Sequence, residues 1–371
     1  MRTFYDAGIV GGGVIGLMSA YFLSKAGMKV AVFEKGKIGC GASSAAAGML
    51  GAHTETERAD VFFRFAEESA ALYPRLAAEL LEETGIDIQL VYNGMLKLAM
   101  TAEEAASLRD RAGKEPDVEW LSRDSVLKKE SNLTEDLQGG LFIAKDGQVS
   151  PSALCRSLAR AVQINGGTIL EGAAAGRIQR AEPSHYEVSA AGEIHYCEVL
   201  VITGGTWSGQ LFKELGISAP VHPVKGECLS IMPDGFRLAS TVFHDSCYLV
   251  PKSDGSIIIG ATMDEGNWKA EPTIQGMASL MEKAVSIMPC IKKGVFQKAW
   301  AGLRPGIQDE KPYIFKHEGM KNLYAATGHY RNGILLAPKT GEMVRDLFLN
   351  RPVKEEYERE FGLNRRTEVK S

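Results

Sequence analysis

The chain has no run of about 18 consecutive apolar residues, which excludes a simple membrane-spanning helix. It has no Cys-x-x-Cys pair. Its six cysteines (Cys40, Cys155, Cys197, Cys228, Cys247 and Cys290) are scattered, so neither a disulfide framework nor a structural zinc site is expected. Reduced thiols packed as small hydrophobes fit that distribution. The seven histidines show no His-Glu-x-x-His or related ligand spacing, and no metal is expected. Excess charge is also missing. A formal net charge of −4, a sequence pI near 6.1 and no dense basic cluster leave no footprint for nucleic acid or an anionic membrane. No internal repeat, low-complexity tract or long linker is visible. A first strand beginning near Phe4 leaves no room for a signal peptide, and the expectation is a soluble cytoplasmic protein.

What remains is 371 residues of ordinary globular composition, 45% hydrophobic and 24% charged. That length suits two domains, or one domain with a large insertion. The informative stretch comes at once: "AGIVGGGVIGLMSAYFLSKAGMKVAVFEKG", residues 7–36. "YDAGIV" reads as a strand buried on both faces. Gly11, Gly13 and Gly16 follow in GxGxxG spacing. Gly11 permits the tight turn, Gly13 lets a pyrophosphate approach the backbone, and Gly16 lets a helix pack closely on the strand. That helix, expected over 14–26 from Val14 and Ile15 onward, aims its positive end at the phosphates, with Gly27 as its C-cap. The second strand, "KVAVFE", ends at Glu34, 18 residues after Gly16. A carboxylate there can accept hydrogen bonds from both hydroxyls of a ribose and would repel a 2′-phosphate, so NADP is disfavoured.

The motif alone does not separate NAD from FAD. The next segment, "GCGASSAAAGMLGAH" (residues 39–53), is a run of small residues with no ordinary helix pattern. Small side chains let backbone amides and hydroxyls crowd against a large flat ligand, whereas a NAD enzyme would continue into its next βαβ unit. A flexible surface loop is the alternative. Further along come "PVKGECLS" (223–230), "CYLVPKSDGSIIIGATMD" (247–264), "AGLRPGIQDEKPYI" (301–314) and "GHYRNGILLAPKTG" (328–341). In this order the segments resemble the FAD-dependent amine oxidases related to D-amino acid oxidase and sarcosine oxidase. Among these they are similar to the bacterial glycine oxidases of thiamine biosynthesis. The resemblance spans nearly the whole chain, from about Tyr5 to Phe361. The opening motif is shared by many flavoproteins; the combination of later segments is far more specific.

Helical periodicity dominates 58–85, and a second helix follows Ser150 as its cap, with Pro151 in the first turn. "EVLVITGGTWSG" reads as a buried strand running into a glycine turn, either beside the dinucleotide or as plain core. "YLVPKSDGSIIIGAT" reads as two strands joined by a turn, "KAWAGLRPG" as another strand, and "NLYAATGHYRNGILL" as strand, glycine turn and helix. The expected fold is α/β. A Rossmann-like FAD-binding domain is assembled from 1–85, 141–210 and 305–364. A mostly antiparallel substrate-binding sheet comes from 86–140 and 211–304, and a solvated tail occupies 365–371.

Arg304 follows a strand and precedes a proline that fixes the turn. A guanidinium matches a carboxylate in a two-pronged fork; a structural salt bridge is the alternative. On the residues alone, Tyr248 could be a core aromatic with its tip in water, Arg331 could neutralise flavin or pyrophosphate charge, and Met263 reads as core. The resemblance implies more. It makes Arg304 and Tyr248 ligands of a substrate carboxylate, sets Arg331 near substrate and flavin, and puts Met263 on the pocket wall. It implies flavin contacts from Val14, Ile15, Glu34, Lys35, Ala42, Ser43, Ala47, Gly48 and Met49, from Ala175, and from His329, Tyr330, Arg331, Asn332, Gly333, Ile334 and Leu335. Non-covalent FAD is expected, because the monomeric sarcosine oxidases attach theirs through a late cysteine and none follows Cys290 here. No Ser/His/Asp set or acid–base pair is evident, which fits direct hydride transfer from a neutral amine. His329 is a candidate base, but its glycine-rich loop favours a structural role. Glycine, sarcosine and small D-amino acids are the implied substrates with oxygen as acceptor, through an imine to a keto acid, ammonia and hydrogen peroxide. The resemblance also implies a homotetramer. The rival readings are a sarcosine or D-amino acid oxidase with non-covalent flavin, a quinone-linked flavin dehydrogenase, and a non-catalytic flavin-binding module.

Overall fold

The computed structural model describes residues 4–55, 60–115, 117–181 and 185–365. Among these residues two large sheets dominate. The first is built on Phe4–Val10, which pairs in parallel with Val30–Phe33 on one side and Glu193–Ile202 on the other. Thr168–Leu170 and Leu323–Thr327 extend the parallel part outward, and Tyr313–Lys316 closes one edge antiparallel. All four residues of Val30–Phe33 are buried, as a strand covered on both faces requires.

One face is covered by the helices Val14–Lys25, Val61–Thr84, Pro151–Ile164 and Gly333–Phe348, whose apolar sides form a core with Ile9, Val32 and Val201. On the other face, Phe212 of the helix Ser208–Glu214 packs with Tyr186, Val188 and Ala190 of His185–Ala190, a strand of the same sheet that pairs antiparallel with Glu193–Ile202 and with Ile178–Ala181. Local signals place the helix ends. Asp60 accepts from the Phe63 N–H at 2.8 Å, and Gly85, at φ +73°, ends that helix. Residues 58 and 59, included in the expected helix, lie outside the described residues. Ser150 caps the next long helix and Pro151 occupies its first turn, as expected. Gly341 lets the late helix touch the first one: a Cβ there would lie 2.7 Å from the Met18 and Phe22 side chains.

The second sheet has nine strands. His222–Met232 pairs along its length with Val295–Gly306, and also with Ile257–Gly260. Cys247–Pro251 and Thr241–His244 follow, then Met95–Ala99, Gly139–Ile143 and Glu119–Ser122. Every pairing is antiparallel except Thr241–His244 beside Met95–Ala99, so the sheet is mostly antiparallel as expected. Helix Ile274–Ile287 packs Leu280, Ala284 and Ile287 into its core.

Several expectations change. Gly139–Ile143 and Val295–Gly306 each run across an expected domain boundary, and both belong whole to the second sheet. The small-residue run contains two short helices, Ala42–Ala45 and Ala52–Glu55. Cys40 is exposed and Cys290 half-buried, so only the other four cysteines pack as hydrophobes. The tail begins with an anchored residue. Arg365 pairs with Asp309 at 2.7 Å, both side chains being buried, and donates to the Pro312 and Lys311 carbonyls. Residues 366–371 lie outside the described residues. No helix among the described residues is long and apolar enough to cross a membrane.

Candidate functional site

The glycine turn is shaped by close approaches. Gly11 has φ +116°, and a Cβ there would lie 2.5 Å from the Thr203 carbonyl oxygen. Gly16 packs directly on the Gly11 carbonyl, where a Cβ would lie at 1.9 Å. The Thr203 hydroxyl donates to the Val10 and Gly11 carbonyls at 3.0 Å each, tying the neighbouring strand to the turn. Gly13, the helix N-cap, has no side chain to occupy the helix end, and only the Ser43 hydroxyl lies near its missing Cβ, at 3.3 Å. That hydroxyl accepts from the Val14 N–H at 2.9 Å. The positive end of the helix therefore opens into free space, a ready anion cradle.

Glu34 is buried at the end of its strand, its two oxygens accepting from the Gly12 and Gly36 N–H groups at 2.8 Å each. These bonds fix the carboxylate plane at the cavity wall. Beyond it the Lys35 ammonium sits 3.0 Å above the Trp207 ring centroid.

From this turn a cavity of about 610 Å³ runs to the second sheet. It is lined at one end by Gly11, Gly13, Val14, Ile15, Glu34, Lys35 and Ala175, and along its length by Ala42, Ser43, Ala47, Gly48 and Met49. At the other end stand Tyr248, Met263, Arg304, His329, Tyr330, Arg331, Asn332, Gly333 and Ile334. Two expected contacts are not on its wall. Gly16 acts behind the turn, and Leu335, 2% exposed, points into the helix-covered core because it follows Ile334 around the helix. Met263 is not core: it is 53% exposed at the cavity mouth, where the Tyr330 hydroxyl lies 2.9 Å from its sulfur.

The two side chains expected to grip a carboxylate lie flat on glycines. A Cβ on Gly226 would come within 2.2–2.4 Å of the Arg304 guanidinium, and one on Gly260 within 2.6 Å of the Tyr248 ring and hydroxyl. Arg304 Nη1 donates to the Thr262 carbonyl at 3.2 Å, which aims the rest of the fork. Tyr248 is buried, and burial pushes its phenol well above the ordinary value, so it stays a neutral donor. His329 is also buried. Desolvation pulls its imidazole down to about 3, and a ring nitrogen shares a hydrogen bond of 3.0 Å with the Thr340 hydroxyl. A neutral ring fixed to the helix is a structural element rather than a proton acceptor.

The cavity also takes Thr203, Gly204 and Trp207, whose signal in the sequence is the glycine pair after a buried strand. Lys252, inside the 247–264 segment but given no role by the sequence, holds the wall from behind. Its Nζ donates to the Ala47 and Val149 carbonyls and to Gln148 Oε1 at 2.7–3.1 Å, and burial lowers it to about 8. Away from the cavity, His53, Glu67 and Asp117 bring possible metal-ligand atoms within 4.8 Å of one another. Sequence spacing does not reveal that cluster, since three segments supply it. The Lys145 ammonium, 2.6 Å from Asp117, already offsets part of its charge.

The donor set suits a flavin dinucleotide. The open helix end meets a pyrophosphate, Glu34 stands where a ribose falls, and the small-residue wall leaves room for a flat ring system. Comparisons with known proteins agree. The family model for FAD dependent oxidoreductases matches residues 6–347. The glycine oxidase of Bacillus licheniformis is 43% identical over 369 residues, all of both chains. The bifunctional protein ThiO/ThiG of Synechocystis sp. is 32% identical over 364 residues, which is 95% of this chain and 53% of that longer protein. The crystal structure of glycine oxidase from Geobacillus kaustophilus superposes with a TM-score of 0.94 at 40% identity, covering 98% of this chain and 100% of that one.

Proposed function

This chain belongs to the FAD dependent oxidoreductase family and, within it, to the glycine oxidases, and from that premise we propose how its cavity oxidises a small amino acid. The enzyme is an FAD-dependent amino acid oxidase acting on glycine, with sarcosine and small D-amino acids as further substrates. The observation that carries the reading is convergence: a guanidinium fork and a neutral phenol, Arg304 and Tyr248, face the cavity that begins at the glycine turn. A zwitterion entering that space has one firm anchor, its carboxylate. When bound, FAD supplies the two-electron acceptor for the α-carbon hydride and passes the electrons to oxygen, giving hydrogen peroxide.

The chain's own residues do the rest. The glycine turn, the helix end at Val14 and Ile15, and Glu34 would hold the dinucleotide without a covalent bond. Ala42, Ser43, Ala47, Gly48 and Met49, together with residues 329–334, all on the cavity wall, would border the ring. Arg304 pairs with the carboxylate and Tyr248 donates to it. Arg331, on the same cavity, adds a second positive charge. Two cations and partial desolvation favour the neutral amine, the form from which a hydride can leave. With His329 held neutral and bonded to Thr340, water takes the ammonium proton. Met263 and Tyr330 narrow the mouth and limit substrate size. Water then converts the imine to glyoxylate and ammonia, so that glycine, oxygen and water balance against glyoxylate, ammonia and hydrogen peroxide.

The kinship with a ThiO/ThiG protein supports a role in thiamine synthesis, the imine serving thiazole formation. A cytoplasmic homotetramer goes with the same reading. So does a division into a nucleotide part and a substrate part, with Gly139–Ile143 and Val295–Gly306 kept whole in the latter. The test is anaerobic mixing of the purified yellow protein with glycine, sarcosine and D-alanine. Bleaching by all three, with saturation, is expected; flavin that stays oxidised with each would end the proposal.

A further inference from the structure

A buried phenol ordinarily finds a strong hydrogen-bond partner. Tyr248 does not. Among the described residues, the one polar group the structure places against its hydroxyl is the Cys228 thiol, 3.5 Å away. Strand register explains the meeting. Tyr248 stands opposite Gly260, and Gly260 stands opposite Cys228 on the next strand, so the three form a row across the sheet. With no side chain on Gly260, the tyrosine ring lies down across it and carries its hydroxyl to the sulfur. Cys228 is buried and also lines the cavity, and burial keeps its thiol protonated.

We infer that Cys228 tunes substrate binding by being a poor acceptor: its thiol fills the place beside the Tyr248 hydroxyl without competing for the phenolic hydrogen, which stays free for the substrate carboxylate. The inference rests on the carboxylate role proposed above for Tyr248. Sulfur is a poor acceptor, so it does not compete for that hydrogen. A serine at this position would compete, because its oxygen is an ordinary acceptor. An alanine would offer no acceptor and leave the phenol's hydrogen uncommitted. The residue type is therefore set by what it refrains from accepting, a selection that packing alone would not impose.

The test uses the FAD-loaded enzyme with Cys228→Ser and Cys228→Ala, each alone and combined with Tyr248→Phe. Acetate, a carboxylate with no amine to oxidise, serves as the probe, its Kd read from the flavin absorption spectrum. KM and kcat for glycine are measured alongside. Expected is a rise of about tenfold in acetate Kd and glycine KM for Cys228→Ser with kcat nearly unchanged, a change under about threefold for Cys228→Ala, and no difference between the two in the Tyr248→Phe background. If Cys228→Ala is as damaging as Cys228→Ser, or the serine effect persists without the phenol hydroxyl, the inference is overturned. Should Cys228→Ser not fold, Cys228→Thr, which also places a hydroxyl beside the phenol, takes its place with the same expected rise, and near-native acetate affinity in that variant refutes the inference. A wild-type enzyme that neither binds acetate nor is reduced by glycine would overturn the proposed function as well, which separates the two failures.

Discussion

Gly226→Ala is the substitution with the most to say about this site. Gly226 lies in His222–Met232 opposite Gly302, away from the left-handed region, so alanine suits its backbone. The added methyl would stand 2.2 Å from Arg304 Nη1 and 2.4 Å from both Cζ and Nη2. Ordinary contact begins near 3.4 Å, so something must retreat by about 1.2 Å. The guanidinium is the far end of a flexible side chain, and the strand pair beneath it is continuous, so the guanidinium moves. Lifting it also strains the 3.2 Å bond to the Thr262 carbonyl that aims the fork. A displacement near 1 Å at a positioning group lowers catalytic efficiency by about 100-fold, or about 2.7 kcal/mol. Steady-state kinetics with glycine should show that loss in kcat/KM, with flavin content and thermal midpoint close to wild type. Gly226→Ala combined with Arg304→Ala should be no worse than Arg304→Ala alone, since both act through one group. A Gly226→Ala enzyme within about threefold of wild type would refute the argument, and so would one that loses its flavin.

If Arg304 binds the substrate carboxylate as proposed, Arg304→Ala removes two charge-assisted bonds of roughly 1.5–3 kcal/mol each, so kcat/KM for glycine should fall by about 10²–10⁴ while FAD is retained; an enzyme still saturated normally by glycine would contradict the assignment. Glu34→Ala frees the Gly12 and Gly36 N–H groups, each now held at 2.8 Å, and should raise the Kd for FAD by about 10- to 100-fold in a fluorescence titration of apoprotein. His329 gives a pH signature. Its pKa falls to about 3 on folding from an ordinary 6.5, so between those values the unfolded chain binds the extra proton and acid destabilises the fold. This one group contributes a slope of about 1.4 kcal/mol per pH unit, present across that window and spent below it; His329→Gln should flatten the stability profile there, and an unchanged slope would count against the burial argument.

Legibility followed sequence distance. The glycine turn, its helix, Glu34 and the cap at Ser150 are local devices, each encoded within a few residues, and each is where the sequence puts it. Two mixed sheets could be anticipated from the strand patterns, but their borders could not. Gly139–Ile143 and Val295–Gly306 are claimed by pairing partners far along the chain, and no local signal announces a partner. The same limit hides the glycine floors. Gly226 and Gly260 are ordinary strand glycines in the sequence; only register reveals which side chain each must accommodate. Met263 misleads on chemistry, an apolar residue left exposed because it stands at a mouth. Leu335 misleads by one helical step: its neighbour Ile334 lines the cavity and it does not. Arg365 misleads by company, a buried ion-pair partner set in a polar stretch that reads as solvated.

The order of strands in the nucleotide sheet has a consequence for biosynthesis. The wall of the cavity joins Gly11 to Thr203 and to residues 328–334, and the helix that follows leans on the first helix through Gly341. A nascent chain that has released only its amino-terminal glycine turn owns a phosphate cradle with no opposite wall. Capture of the vitamin-derived cofactor must wait until residues 328–334 have been made. Cells short of riboflavin should therefore accumulate colourless polypeptides that already contain both walls rather than shorter fragments carrying flavin.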